Sequence, residues 1–142
     1  MARINQQGDG GTMFGTVYHV GYLTDDAEKA TEYCARMFAG EATARVRGAD
    51  GGQIVYFRAG ETELELIQPA DPARLAGRTG LILDHIGYFV DDIEQSIAGL
   101  KARGMRFQTE EPTVSAVGYK MIFLDQSLTL GTRMHLTEKK RG

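Results

Sequence analysis

The stretch His19-Val-Gly-Tyr-Leu-Thr-Asp-Asp-Ala-Glu28 occurs a second time in this chain of 142 residues, as His85-Ile-Gly-Tyr-Phe-Val-Asp-Asp-Ile-Glu94. Six of the ten positions are identical, and the two copies begin 66 residues apart, about half of the chain. Repeat proteins of the solenoid type contain several short units. A single duplication of this length instead indicates two fused half-domains.

Both copies predict a β-strand that leads directly into an α-helix. Residues 18–23 and 85–90 are rich in aromatic and β-branched side chains, which is typical of strands. The Asp-Asp pair of each copy supplies an N-cap oxygen and negative charge for the first helical turn. Apolar residues then recur at helical spacing, and we expect Gly40 and Gly104 to end the two helices.

Strand-like segments follow each predicted helix, at residues 42–47, 53–58 and 62–68 in the first copy and at 106–109, 119–124 and 132–137 in the second. The sequence therefore predicts an α+β fold of two tandem βαβββ modules. The predicted organisation is a flexible N-terminal arm (1–15), a single domain (16–138) and a basic tail (139–142). Within that domain we expect module one at about 16–68, a linker at 69–83 and module two at about 84–138.

The composition restricts the classes of partner. The net charge of −3, with scattered Lys and Arg, gives no sign of a nucleic-acid partner. No apolar stretch approaches the roughly 20 residues that would span a bilayer. One cysteine, Cys34, excludes an internal disulfide framework and favours a reducing compartment, and we expect it to be a small core residue. We therefore predict a cytoplasmic protein with a small-molecule substrate and no membrane partner.

The three histidines of the chain fall in repeat-equivalent places. Because alternate residues of a strand point to opposite faces, His19 and His85 point away from the helix of their module. In the last strands, Leu64-Glu65-Leu66 aligns with Met134-His135-Leu136, so Glu65 and His135 also correspond. Both of these side chains point away from the helix.

Three imidazoles and one carboxylate form a suitable site for one divalent metal ion such as Zn, Co, Ni, Mn or Fe. Calcium or magnesium would require more oxygen ligands. We therefore predict that His19, Glu65, His85 and His135 bind one metal ion. The alternative interpretation is that the histidines are structural and hold no metal.

These residues make the sequence resemble the vicinal oxygen chelate superfamily, which includes glyoxalases, bleomycin resistance proteins and extradiol dioxygenases. Within it the chain is most similar to methylmalonyl-CoA epimerases. The similarity covers residues 16–138 and rests on His19-Val-Gly21, Glu65-Leu-Ile-Gln-Pro69 and the stretch from Asp84 to Glu94. It implies a cupped, partly closed mixed sheet with helices on the outer face. The chain departs from the epimerases in having His135 where Glu is usual, and in lacking a Glu within 42–47.

The resemblance implies an epimerase, isomerase or lyase that acts through a metal-stabilised enolate on a small 2-oxo or acyl-CoA-type substrate. Glu65 and Glu63 are the candidate proton acceptors. The candidate substrate-binding residues are Arg45, Arg47, Arg133 and Tyr119. A non-haem iron dioxygenase and a sequestering protein without catalysis are the alternatives. Because sheet edges commonly pair, we also expect a homodimer.

Overall fold

The computed structural model describes residues 14–139, so residues 1–13 of the predicted arm and 140–142 of the predicted tail lie outside the described part. The chain divides into two compact units. The first unit is residues 18–87, and the second is residues 88–139 together with 14–17. Both contain helix and strands, which confirms the predicted α+β class. No helix in the described range is long and apolar enough to cross a membrane.

The first unit has the predicted βαβββ order. Its elements are β1 (Val17–Thr24), α1 (Ala27–Phe38), β2 (Glu41–Arg47), β3 (Gln53–Ala59), β4 (Thr62–Gln68), a 3-10 turn (Pro72–Leu75) and the start of β5 (Leu81–Val90). The strand order is β2-β3-β4-β1-β5. Strands β2, β3 and β4 are antiparallel, whereas β1 and β4 are parallel.

The second unit repeats the order, from the end of β5 onward. Its further elements are α2 (Ile93–Ala102), β6 (Thr113–Val114), β7 (Lys120–Phe123), a 3-10 turn (Gln126–Leu128) and β8 (Met134–Glu138). Strands β6, β7 and β8 are neighbours and antiparallel. Two βαβββ modules are therefore present, as the repeat predicted.

The helices begin where the sequence predicted. The carboxylates of Asp26 and Asp92 cap α1 and α2, each accepting a hydrogen bond of 3.0 Å from the amide three residues on. Gly104 follows α2 at φ +90°, as expected for a helix terminator. The prediction for Gly40 was wrong, because Ala39 is the left-handed cap of α1. Gly40 is instead required because a Cβ there would collide with the carbonyl of Arg58.

A second contact fixes the start of each helix to the end of the last strand of its module. The amide of Ala27 donates to the side-chain oxygen of Gln68 at 2.9 Å. In the same way, the amide of Ile93 donates to the carboxylate of Glu138 at 2.8 Å. These amides lie in the first helical turn, where no backbone acceptor is available. Each module is thus closed by a bond between its last strand and its helix.

Each unit has its own hydrophobic core between helix and sheet. The core of the first unit includes Cys34, which confirms its prediction as a core residue. The residues predicted to face the helices do so, among them Leu64 and Leu66 in the first unit and Leu136 in the second. The side chains that alternate with them therefore project from the opposite face of each sheet.

Three stretches differ from their predictions. Residues 106–109 were predicted as a strand but form only one isolated bridge, between Phe107 and Leu124. Backbone bonds from Gln108 to Phe123 and from Asp125 to Arg106 accompany this bridge, and the chain bends after it, where the hydroxyl of Thr109 donates to the carbonyl of Glu111. Strand β5 begins at residue 81, inside the predicted linker. Packing also begins at Phe14, inside the predicted arm, where its ring meets Tyr88 at 5.3 Å.

Candidate metal centre

Two strands of the first unit bring His19 and Glu65 to the same face. Strands β1 and β4 run parallel, with Gly21 beside Glu65. The neighbouring side chains Val20 and Tyr22 pack on the helix-side core. Strand alternation therefore directs His19 and Glu65 to the other face, as the sequence predicted.

Three donor atoms of the first unit converge there. The Nε2 atoms of His19 and His85 are 3.1 Å apart. Oε1 of Glu65 lies 3.1 Å from Nε2 of His85 and 3.5 Å from Nε2 of His19. All three side chains are buried. The structure thus brings together the three predicted ligands that belong to the first unit, on strands β1, β4 and β5.

The spacing of these atoms fits a small divalent cation. Metal–ligand distances of about 2.0–2.2 Å place neighbouring ligands of a tetrahedral or octahedral ion about 3.0–3.5 Å apart. Two imidazole lone pairs and a carboxylate oxygen at that separation repel one another unless a proton or a cation lies between them. The donor set of His19, Glu65 and His85 therefore suits Zn, Co, Ni, Mn or Fe.

The other ring nitrogen of His85 is held by a carboxylate. Nδ1 of His85 lies 2.7 Å from Oδ2 of Asp84. Since an ionised carboxylate can only accept, Nδ1 carries the hydrogen, and Nε2 has the lone pair when the ring is neutral. Metal-binding histidines commonly have a carboxylate or carbonyl partner of this kind.

The second oxygen of Glu65 is held in a similar way. The hydroxyl of Tyr56 donates to Oε2 at 2.8 Å, and both groups are buried. Tyr56 and Glu65 are directly opposite in the antiparallel β3–β4 pair. The phenol occupies one carboxylate oxygen, so the geometry presents Oε1 to the two histidines.

The electrostatics of the cluster follow from burial and from these contacts. Burial lowers the pKa of His19 to about 4, although the charge of Glu65 opposes the shift. Burial alone would raise the pKa of Glu65, but the contacts with His85, His19 and Tyr56 lower it to about 2. Burial would lower the pKa of His85, but bonds to Asp84 and Glu65 raise it. Near neutral pH, Glu65 is an anion and the imidazole of His19 is neutral.

A glycine makes room for the ring of His85. A Cβ atom built on Gly21 would lie 2.6 Å from both ring nitrogens of His85 and closer still to the carbon between them. Real Cβ contacts do not approach that closely, so any side chain at this position would displace the imidazole. The Gly of the repeated His-x-Gly motif is therefore explained in the first copy.

In the second unit, His135 lies on β8 and is buried. Its Nδ1 is 2.9 Å from the hydroxyl of Thr137, and its ring lies 5.0 Å from that of Phe123. Phe123 is its direct partner in the β7–β8 ladder. His135 thus projects from the face opposite Leu136, as the alternation predicted.

Comparison with known proteins agrees with this arrangement. The family model of the Glyoxalase/Bleomycin resistance protein/Dioxygenase superfamily matches residues 18–123. The chain belongs to this superfamily. The predicted resemblance to it, and to methylmalonyl-CoA epimerases within it, is confirmed.

Three methylmalonyl-CoA epimerases illustrate the similarity. The mitochondrial enzyme of Bos taurus is 28% identical over 131 residues, which are 87% of this chain and 74% of that protein. The structure of the Mycobacterium tuberculosis enzyme superposes with a TM-score of 0.83 at 16% identity, covering 99% of this chain and 94% of the other. The Streptomyces coelicolor enzyme in complex with 2-nitronate-propionyl-CoA gives 0.80 at 18% identity, covering 90% and 99%.

Two of the predicted substrate-binding residues are directed away from the histidines. Arg45 pairs with Val55, a residue of the helix-side core, so it shares the helix side of the sheet. Its guanidinium forms an exposed ion pair of 3.0 Å with Glu28 on α1. Arg47 has the same orientation and donates to the carbonyl of Gly51 at 3.0 Å. The side chains of both arginines thus lie on the helix side of the sheet of the first unit, and their role in binding substrate stays a prediction.

The other two lie in the second unit. The guanidinium of Arg133 stacks on the ring of Phe123 at 4.4 Å, and the same ring contacts His135. Tyr119, in the loop before β7, has its ring 6.3 Å from that of Phe89. Arg133 is thus placed on the side of its unit that carries His135.

Sequence reasoning missed the residues that hold the ligands. Tyr56 had a usable signal, because strand alternation places it on the face of β3 opposite to Val55 and Phe57. Asp84 directly precedes His85 in the sequence, but neighbouring strand residues ordinarily point to opposite faces, so a contact between the two side chains was not expected.

Glu63, a predicted proton acceptor, is half-buried beside His19 in the β1–β4 register. Burial raises its pKa, Arg58 opposes this shift and Glu65 adds to it.

Proposed function

We propose that this protein is a metal-dependent epimerase or isomerase that moves a proton next to the carbonyl of an acyl-CoA thioester or a small 2-oxo acid. The convergence of Nε2 of His19, Nε2 of His85 and Oε1 of Glu65 within 3.1–3.5 Å carries the proposal. Similarity to methylmalonyl-CoA epimerases supports the reaction class. The lyase reaction, which was also predicted, would begin with the same removal of a proton next to a carbonyl.

The metal would be held by His19, Glu65 and His85, with Zn, Co, Ni, Mn and Fe as the suitable ions. A divalent ion supplies Lewis acidity, which stabilises negative charge on a carbonyl oxygen by several kcal/mol. The chain contributes the orientation of its ligands, through Tyr56 and Asp84. Burial of the donors keeps competing water away from them.

We extend the ligand set to His135 on the evidence of the sequence repeat. His135 occupies the place in module two that Glu65 occupies in module one. Its Nδ1 is engaged by Thr137, so Nε2 is the atom that would bind metal. An imidazole here adds no negative charge, so the site would keep more positive charge than one with two carboxylates. That favours a substrate with anionic oxygens.

Glu63 is the proton acceptor that the geometry favours. Both oxygens of Glu65 are engaged, one by Tyr56 and one by His85, which leaves Glu65 as a ligand. Glu63 is on the same face of β4, two residues earlier, and half-buried. Its carboxylate would take the α-proton from one face of the substrate. A water molecule on the opposite face would supply the proton that completes the epimer, and the Glu63 carboxyl would then return its proton to the solvent.

We assign Arg133 to the binding of a substrate carboxylate or phosphate, with Tyr119 as a further contact. The Arg133 guanidinium carbon lies over the ring of Phe123, 4.4 Å from its centre, which places a planar donor beside the face that carries His135. An Arg133→Lys variant keeps the charge and loses the planar fork. We expect it to raise KM with little change in kcat, whereas an effect on kcat alone would contradict this role.

The proposed reaction is tested by proton exchange. Purified protein loaded with Co²⁺ or Zn²⁺ is incubated in D₂O with methylmalonyl-CoA and, separately, with a 2-oxo acid, and deuterium at the α-carbon is followed by mass spectrometry. We expect wash-in that requires the metal and falls at least about 100-fold in Glu63→Gln. Glu61→Gln, an exposed neighbour on the β3–β4 turn, is the matched control. Absence of metal-dependent exchange with any such substrate would refute the proposal.

A non-haem iron dioxygenase is the second candidate function. The specific observation in its favour is that two histidines and one carboxylate of the first unit converge, which is the donor set of the facial triad. Oxygen consumption by the Fe²⁺-loaded protein in the presence of substrate separates the two reactions, because proton transfer uses no O₂. Binding of a substrate analogue without turnover of either kind would favour a sequestering protein.

The homodimer stays a prediction. Strand β2 is the end strand on its side of the described sheet, and end strands expose unpaired backbone groups. Simple pairing at this edge is disfavoured by the charged residues Glu41, Arg45 and Arg47. It is also disfavoured by the register irregularity between Ala42 and Ala44. Light scattering of the purified protein measures the oligomeric state directly.

A further inference from the structure

The ring of His85 has contacts at both nitrogens, and both partners belong to the first unit. Nδ1 is 2.7 Å from the carboxylate of Asp84, and Nε2 is 3.1 Å from the carboxylate of Glu65. Asp84 is mostly buried, with 12% of its side chain exposed. The ring therefore bridges a carboxylate outside the donor cluster and one inside it.

The direction of the hydrogen bonds is decided by chemistry. A neutral imidazole carries one N–H, on either nitrogen. The bond to Asp84 is short, as expected where the acceptor is charged, and it requires the hydrogen on Nδ1. In the opposite tautomer, the lone pair of Nδ1 would face the carboxylate of Asp84 and the N–H of Nε2 would occupy the donor cluster. Such a ring could not offer Nε2 to a metal ion.

We infer that Asp84 is a positioning residue: it holds His85 in the tautomer with hydrogen on Nδ1 and thereby directs the Nε2 lone pair at the space shared with His19 and Glu65. The consequence for metal binding rests on the proposed function, whereas the tautomer itself does not. Partners of this type commonly change metal affinity 10–100-fold when they are removed. Asp84 would therefore act through His85 without touching substrate.

Arg74 extends this contact toward the surface. Its guanidinium, on the 3-10 turn Pro72–Leu75, lies 3.8 Å from the same oxygen of Asp84 that meets His85. The guanidinium is 41% exposed, and exposed ion pairs contribute little. We therefore expect the bond between Asp84 and His85 to persist without Arg74. An Arg74→Gln variant should weaken metal binding less than about threefold.

The experiment compares wild type, Asp84→Ala and Asp84→Asn, with Asp71→Ala as the matched control. Asp71 is an exposed residue whose carboxylate accepts a hydrogen bond of 2.9 Å from the amide of Ala73 and so caps the 3-10 turn. Ring ¹⁵N spectra of the chelator-treated full-length chain report the tautomer of His85. Titration with Co²⁺ alone gives the metal affinity, and chemical unfolding of each variant gives its stability.

In wild type we expect hydrogen on Nδ1 of His85. In Asp84→Ala we expect a mixture of tautomers and Co²⁺ affinity lowered 10–100-fold. Asp84→Asn, which retains an acceptor oxygen, should lose less, and it replaces the alanine variant if that protein does not fold. Asp71→Ala should keep the wild-type tautomer and affinity.

Wild-type spectra with hydrogen on Nε2 and none on Nδ1, or an unchanged tautomer and unchanged Co²⁺ affinity in both Asp84 variants, would overturn the inference. A wild-type protein that binds no divalent metal would count against the proposed function instead. In that case the ¹⁵N spectra alone still decide whether Asp84 sets the tautomer of His85.

Discussion

Replacing Gly21 with alanine tests the geometry of the donor cluster most directly. The added Cβ would lie 2.6 Å from both ring nitrogens of His85, whereas ordinary carbon contacts are about 3.5–4.0 Å. The imidazole must therefore move by roughly 1 Å. A shift of that size takes Nε2 from 3.1 Å to beyond hydrogen-bonding reach of Glu65.

The expected cost follows from two effects. Overpacking a buried site destabilises by about 1–3 kcal/mol, which would appear in the free energy of unfolding of metal-free protein. Metal–ligand distances tolerate only about 0.2 Å, so Gly21→Ala should also lower Co²⁺ or Zn²⁺ affinity by at least about 10-fold. Denaturant unfolding with chelator measures the first effect, and isothermal titration measures the second.

Gly48→Ala is the control for the loss of a glycine. A Cβ there would meet the end of the Ile54 side chain at 3.2 Å and the Asp50 carboxylate at 3.3 Å, so each neighbour has to yield by only a few tenths of an ångström. We expect its unfolding free energy and metal affinity to stay close to wild type. If Gly21→Ala behaves like Gly48→Ala in both measurements, the packing of His85 against β1 is not as described.

Three further predictions follow from other contacts. Tyr56→Phe removes a bond to the Glu65 carboxylate and should destabilise the metal-free protein by about 1.5–3 kcal/mol in denaturant unfolding, whereas Tyr33→Phe on the exposed side of α1 should change little. Asp26→Ala removes the N-cap of α1 and should cost about 1 kcal/mol, read as a lower midpoint of unfolding. Hydrogen bonds from two backbone amides lower the pKa of Asp50, so its contribution to stability is present above the ordinary pKa of 3.8 and is lost as pH falls through the lower folded pKa. Asp50→Asn should therefore flatten the dependence of unfolding free energy on pH in that acid range. An unchanged dependence would contradict this assignment.

The sequence predicted the fold because two simple rules apply almost everywhere in it. Strand alternation set the faces of β1, β4 and β8, and the carboxylates Asp26 and Asp92 marked the helix starts. The exception was residues 106–109, where β-prone composition was overridden by a local turn at Thr109. Bends of this kind are accompanied by local side-chain contacts, such as the one between Thr109 and Glu111, which periodicity does not report.

The candidate site was predictable only in part. His19, Glu65 and His85 are brought together by strand pairing that the repeat already implied. The contacts of Tyr56 with Glu65 and of Asp84 with His85 depend on side-chain conformations, and the first also depends on the β3–β4 register. The sequence of a single strand determines neither of these. The ion pair of Arg45 with Glu28 was not expected from the sequence. It is possible because β2 is an end strand, so the helix-side face of this strand stays open to solvent.

The strand-to-helix bonds that close the two modules show what the duplication retained. Gln68 and Glu138 are different residues, one neutral and one charged, yet each offers a side-chain oxygen to the first-turn amide of its own helix. Residue identity alone therefore understates how far the two halves still correspond. Gln68 and Glu138 both supply a hydrogen-bond acceptor, and Glu65 and His135 both supply a lone pair. An internal alignment that scores such shared chemistry would recover more of the symmetry between the two halves than a comparison of residue identities does.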